Sequence, residues 1–114
     1  MSRSSAEAGA RRRQQAVAFA ALGDETRLAL LATLAAGEPR SIAQLTGGTR
    51  LTRQAVSKHL RVLEGAGMVR SVRAGRQALF GFEPACVNEL QEYLQRLSAQ
   101  WDQALARLKA LVEG

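Results

Sequence analysis

Little in this sequence can hold a metal ion or activate a nucleophile. The single cysteine, Cys86, excludes an internal disulfide framework and any zinc site built from several thiolates of one chain. One histidine, His59, and no clustered carboxylates leave no nucleophile with a base beside it, so an enzyme is not expected. No apolar run reaches about 18 residues, and the start MSRSSAEAGARRRQQ lacks the apolar centre of a secretory signal. Neither membrane insertion nor export is expected, which leaves the cytoplasm as the expected compartment. What is present, 114 residues of which 46% are hydrophobic, suffices for one domain with a modest core.

Acidic residues are also scarce where it matters. Between Thr49 and Phe82, Glu64 stands alone against Arg50, Arg53, Lys58, Arg61, Arg70, Arg73 and Arg76. That third of the chain carries the equivalent of the whole formal excess of +6, whereas acids outnumber bases from Glu83 to Gly114. A chain divided in this way suits one part for phosphate and another for a partner subunit.

Residues 1–13 are small and polar and end in RRR, which predicts a mobile basic tail, either an arm along a DNA groove or a solvated helix start. Residues 14–113 form the expected domain. QQAVAFAAL predicts a first helix over residues 14–22, stopped by Gly23, and Asp24 caps a second in which Leu28, Leu31 and Leu34 recur. Ser41 caps a short third helix, IAQLT, and Thr52 caps a fourth, so that residues 41–66 make a helix-turn-helix. In this fourth helix, at about 100° per residue, Arg53, Gln54, Ser57, Lys58 and Arg61 fall within one arc of about 140°, opposite Val56, Leu60 and Leu63. Gly65 and Gly67 are expected to let the chain leave it through positive φ. The period then turns to alternation over residues 68–82, a hairpin about RAGR with Gly75 in the turn. A last helix, residues 84–113, begins at Pro84. Its Leu90, Leu94, Leu97, Trp101, Leu105 and Leu108 make a stripe that one small domain cannot cover and a second copy can.

Two of these stretches resemble a known family. ALGDETRLALLATLAAGE is similar to the second-helix signature of the ArsR family of bacterial transcriptional repressors, and LTRQAVSKHLRVLEGAGMVRSVRAGRQALFGF resembles its recognition helix and wing. The resemblance implies a winged helix-turn-helix, mainly α with a small β-hairpin, dimerised through its first and last helices. It also implies a homodimer that binds an inverted repeat of double-stranded DNA at a promoter and blocks transcription. Metal-sensing members carry thiols on the third helix, or Asp, His and Glu ligands on the last. Here SIAQLTGG has no thiol and the last helix no histidine, so neither a metal nor another cofactor is expected. The tail WDQALARLKALVE resembles the branch without metal ligands, in which autorepressors are common.

Candidate DNA contacts follow. Gln54, Ser57 and Lys58 are of the types that bond base edges, whereas Arg53 and Arg61 at the rim suit phosphate, with Thr52 at the head of the same helix. Arg73 and Arg76 flank the wing turn, where arginine meets phosphate or a narrow minor groove. His59 falls beside the apolar side, which leaves both a packed role and a DNA contact open. For the dimer, Val17 joins Leu90, Leu94, Leu97, Trp101, Leu105 and Leu108, with the wall of an effector pocket as the other reading of Trp101. Cys86, at the start of the last helix, is either a redox handle whose pKa the helix end lowers or a plain half-buried thiol. Rivals to the repressor are a ligand- or thiol-responsive derepressor and a nonspecific architectural DNA binder.

Overall fold

The computed structural model describes residues 3–114. Five helices, α1 (Arg3–Leu22), α2 (Glu25–Ala36), α3 (Ile42–Gly47), α4 (Arg53–Gly65) and α5 (Pro84–Glu113), are joined by short turns and accompanied by three strands, β1 (Arg40–Ser41), β2 (Val69–Ala74) and β3 (Gln77–Phe82). The strands form one antiparallel sheet in the order β1-β3-β2.

The starts of α2, α3 and α4 are fixed by their caps. The Asp24 carboxylate accepts from the Arg27 amide at 2.9 Å, and the Thr52 hydroxyl accepts from the Ala55 amide at 3.1 Å. At α3 the Ser41 hydroxyl accepts from the Gln44 amide while the Gln44 side chain accepts from the Ser41 amide, a complete capping box. Helix α4 ends in a Schellman motif: the Met68 amide donates to the Leu63 carbonyl and the Gly67 amide to the Glu64 carbonyl, with Gly67 at φ 80°. Gly65 takes no part in that exit. It remains helical, and Gly67 alone supplies the positive φ.

The core joins Leu30, Leu31 and Leu34 of α2, Leu45 of α3, and Val56, Leu60 and Leu63 of α4 to Met68 of the turn after α4 and to Val69 and Phe80 of the sheet, with Ala18, Ala21 and Leu90 from the terminal helices. Leu28 is not part of it and lies half exposed. A step of three falls about 60° short of a full turn, so Leu28 and Leu34 cannot both face inward, and the core takes the 30/31/34 face.

Three features depart from expectation. The tail expected over residues 1–13 is helical from Arg3 onward, because its Ala, Glu, Arg and Gln favour helix strongly enough to carry Gly9. Arg11, Arg12 and Arg13 therefore stand on a helix rather than on a free arm; Met1 and Ser2 lie outside the described residues. Strand β1 is new, a two-residue piece between Pro39 and the α3 cap that pairs Arg40 with Phe80 and Ser41 with Leu79. Leu90, expected at the surface of the last helix, is 5% exposed and belongs to the core of its own chain. Beyond it α5 runs clear of the domain, which stretches the molecule to 66 × 35 × 21 Å. Among the described residues no helix is long and apolar enough to cross a membrane.

Candidate nucleic-acid interface

Helix α4 holds the candidate surface because its two faces are opposed. With Val56, Leu60 and Leu63 fully buried, the residues diametrically across the helix must point outward. Arg53, Gln54, Ser57, Lys58 and Arg61 accordingly line one shallow groove with Ile42 and Ala43 of α3. Among the described residues none of these five side chains donates to, accepts from or pairs with another group of the chain. Donors left unmatched in this way are available to an outside acceptor. The Thr52 hydroxyl sits at the head of this face and is already committed as the cap acceptor.

Two acids hold strand β2 of the wing, Glu64 of α4 and Glu83 at the head of α5. Ser71 Oγ donates to Glu64 Oε2 at 2.7 Å, and Arg70 Nη2 lies 3.2 Å from Glu83 Oε2. Glu64, the lone acid of the basic third, is thus held toward β2, and Arg70 is neutralised by Glu83. The cationic surface is smaller than the residue count suggested. Arg73 and Arg76 remain exposed and have no ion-pair partner among the described residues; Ala74 pairs with Gln77 in the ladder, so Gly75 and Arg76 form a two-residue turn. Gly75 at φ 66° with no positive φ at Arg76 is the pattern of a type II′ turn, which puts Arg76 at the tip. One further cation was not singled out from sequence. Arg50, in the turn before Thr52, is exposed at the head of α4 with no ion-pair partner among the described residues; its place just ahead of the cap is the signal.

His59 does not join this face. Its Nδ1 lies 3.4 Å from Arg27 Nη1 and 3.9 Å from Asp24 Oδ2, at the corner where α1 meets α2. Its position on the helix, beside the apolar side, turns the ring inward, so its place among the DNA contacts is corrected. Arg27, within the second-helix stretch ALGDETRLALLATLAAGE, is the residue the ring meets.

The Asp24 carboxyl is held below its ordinary value of 3.8, first by the hydrogen bond from the Arg27 amide, which outweighs the desolvation that raises it, and further by the charge of Arg27 and by neighbouring His59. A carboxyl depressed in the folded state adds stability above its unfolded pKa and loses it as the pH falls through the folded one. Asp24→Asn keeps a cap oxygen but not the charge. Its deficit in denaturation midpoint against the native chain should be full well above pH 3.8 and shrink as the pH falls below it; a deficit independent of pH would show that the charge contributes nothing.

Cys86 is half-buried, and its thiol donates to the Ala66 carbonyl at 3.3 Å. Burial pushes this thiol up, and neighbouring Glu89 adds to the effect, so the helix end does not produce the lowered value expected of a redox handle. Among the described residues no three of His, Cys, Asp and Glu come together as metal donors.

The apolar stripe of α5 is uncovered. Trp101 and Leu105 are 61% and 62% exposed, Leu94 and Leu108 nearly as much, and Leu97 is half-buried. Trp101, Ala104, Leu105 and Leu108 line one apolar groove, and Leu111 and Val112 in the last turn of the helix are exposed as well. Val17 of α1 is 55% exposed, and Phe19 beside it meets Tyr93 of α5 at 6.0 Å between ring centroids.

Comparison with known proteins agrees with this geometry. The model of a family described as a helix-turn-helix domain matches residues 22–72. The HTH-type transcriptional regulator Rv2034 of Mycobacterium tuberculosis is 33% identical over 96 residues, 84% of this chain and 86% of the relative. An ArsR-like transcriptional regulator from Rhodococcus sp. RHA1 superposes with a TM-score of 0.81 at 35% identity, covering 90% of this chain and 95% of that one. The fold is also that of a homodimeric winged helix-turn-helix DNA-binding domain from Mycobacterium bovis, with a TM-score of 0.65 at 23% identity over 92% of this chain and 91% of that one.

Proposed function

The chain belongs to the ArsR family of winged helix-turn-helix transcriptional regulators, DNA-binding proteins and not enzymes, and from that premise we propose that it is a cytoplasmic homodimeric repressor acting on an inverted-repeat operator. The observation that carries this reading is the face of α4, five polar or cationic side chains in one groove with no partner among the described residues. A major groove about 12 Å wide admits one helix, and two related by a dyad enter successive grooves about 34 Å apart. Gln54, Ser57 and Lys58 then read base edges, and Arg50, Arg53 and Arg61 clamp phosphate. Arg73 and Arg76 reach the flanking backbone or minor groove. The apolar stripe of α5, with Val17, supports a second copy as the partner, as does the homodimeric state of the Mycobacterium bovis domain. Occupancy of a promoter by such a dimer excludes polymerase.

The test begins with an operator selected from random duplexes by the native protein. Gln54→Ala should then lose about 1–3 kcal/mol of discrimination at one symmetric base position and little elsewhere. Equal weakening on every sequence would remove Gln54 from base reading. Transcription in vitro from a promoter carrying the operator should fall as protein is added, and a rise would overturn the repressor assignment.

A further inference from the structure

Arg27 occupies a place that its own helix does not favour. It is the third residue of α2, and a cation in a first turn faces the positive end of the helix dipole. The guanidinium is used across the corner instead. Its Nε donates to the Ala21 carbonyl at 2.7 Å and its Nη2 to the Ala20 carbonyl at 3.4 Å, which gives the last turn of α1 the cation it otherwise lacks. Its Nη1 lies 3.4 Å from His59 Nδ1, in the middle of α4, and donates to it in the tautomer that leaves that nitrogen without a proton; its backbone amide donates to the Asp24 carboxylate, which lies 3.9 Å from the same ring nitrogen. One side chain on α2 therefore bonds both α1 and α4.

Apolar packing is non-directional and resists a small rotation weakly, whereas hydrogen bonds lose strength quickly as their angles change. From this juxtaposition we infer that Arg27 is a positioning residue for DNA recognition: it fixes the angle between α1, which carries part of the dimer face, and α4, which enters the groove. The inference rests on the dimeric reading given above. Helix α4 is about 20 Å long at about 1.5 Å per residue, so a tilt of about 10° moves its far end by about 3.5 Å. That equals roughly the 3.4 Å rise of one base pair. A loosened corner would thus blur which half-site spacing fits, before it altered which bases are read.

The experiment compares duplexes with the same two half-sites and spacers lengthened or shortened by one and two base pairs. The native dimer should prefer one spacing by at least about tenfold. Arg27→Met keeps most of the stem and removes the donors; its preference should fall to within about threefold, with dimer assembly and affinity for random duplex retained. His59→Leu, which loses the acceptor on α4, should move the same way in part, and His59→Gln, whose amide oxygen can accept from Arg27, should restore the preference. A residue that merely stabilises the fold would lower the melting temperature and the active fraction but leave the ratio between spacings unmoved. Arg27→Met with the native ratio overturns the inference; should that variant fail to fold, His59→Leu with the native ratio overturns it. A native protein indifferent to spacing would instead sink the dimeric reading on which it depends, and the two failures are told apart by the wild-type series alone.

Discussion

Leu105→Glu is expected to give a folded monomer whose affinity for a two-half-site operator is lower by about 10²–10⁴-fold. The fold should survive because Leu105 is 62% exposed and lies on the part of α5 that has left the domain, well past the last core residue of that helix, Leu90. Assembly should not. Covering a leucine contributes about 1.5–3 kcal/mol, and the dyad counts it twice, while the substitution places two carboxylates in an apolar groove with Trp101 and Leu108 around them. Once the subunits part, the second half-site is no longer presented at a high local concentration, and that tethering is what the loss in affinity measures. Sedimentation and operator titration read the two consequences separately. Leu90→Ala provides the contrast: it should lower the melting temperature through a cavity of its own and leave the subunit equilibrium nearly unmoved. A Leu105→Glu protein still dimeric at micromolar concentration would show that the stripe has another occupant.

The different fates of Leu90 and Leu105 show what a linear reading can and cannot reach. Both sit on the same leucine repeat, and periodicity sees only that repeat; which end of it the rest of the chain covers depends on where α1 and the turn after α4 fold back. His59 and Arg27 make the same point from the other side. The angular position of His59 indicated that it bordered the apolar face, but its neighbours come from a helix more than thirty residues away, and no local pattern encodes them. The grouping on α4, by contrast, was legible because everything that fixes it is local: a cap at Thr52, a 3.6-residue period, and a Schellman exit at Gly67. Strand β1 escaped notice because two residues have no period, and its pairing with β3 is a long-range contact. Of the two readings of residues 1–13, the helical one holds from Arg3 onward, because the helix propensity of Ala, Glu, Arg and Gln outweighs the lack of an apolar face.

Steep salt dependence is the second large effect expected. On the proposed interface Arg50, Arg53, Arg61, Arg73 and Arg76 meet the backbone, five cations per subunit and ten per dimer. At about 0.9 counterions released per neutralised phosphate, the logarithm of the binding constant should fall with a slope near −9 against the logarithm of salt. That is a loss of about 10⁵-fold between 50 and 200 mM. The structure distinguishes which arginines contribute. Arg76→Ala, at the wing tip, removes two contacts per dimer and should flatten the slope by about two, whereas Arg70→Ala should leave it unchanged, because Glu83 already neutralises that side chain at 3.2 Å. Gln54→Ala should alter sequence preference with no change of slope, since an uncharged side chain displaces no counterion. A native slope shallower than about −3 would mean that most of these arginines never touch phosphate. A slope equally altered by Arg70→Ala and Arg76→Ala would mean that the wing meets DNA along its strand rather than at its tip.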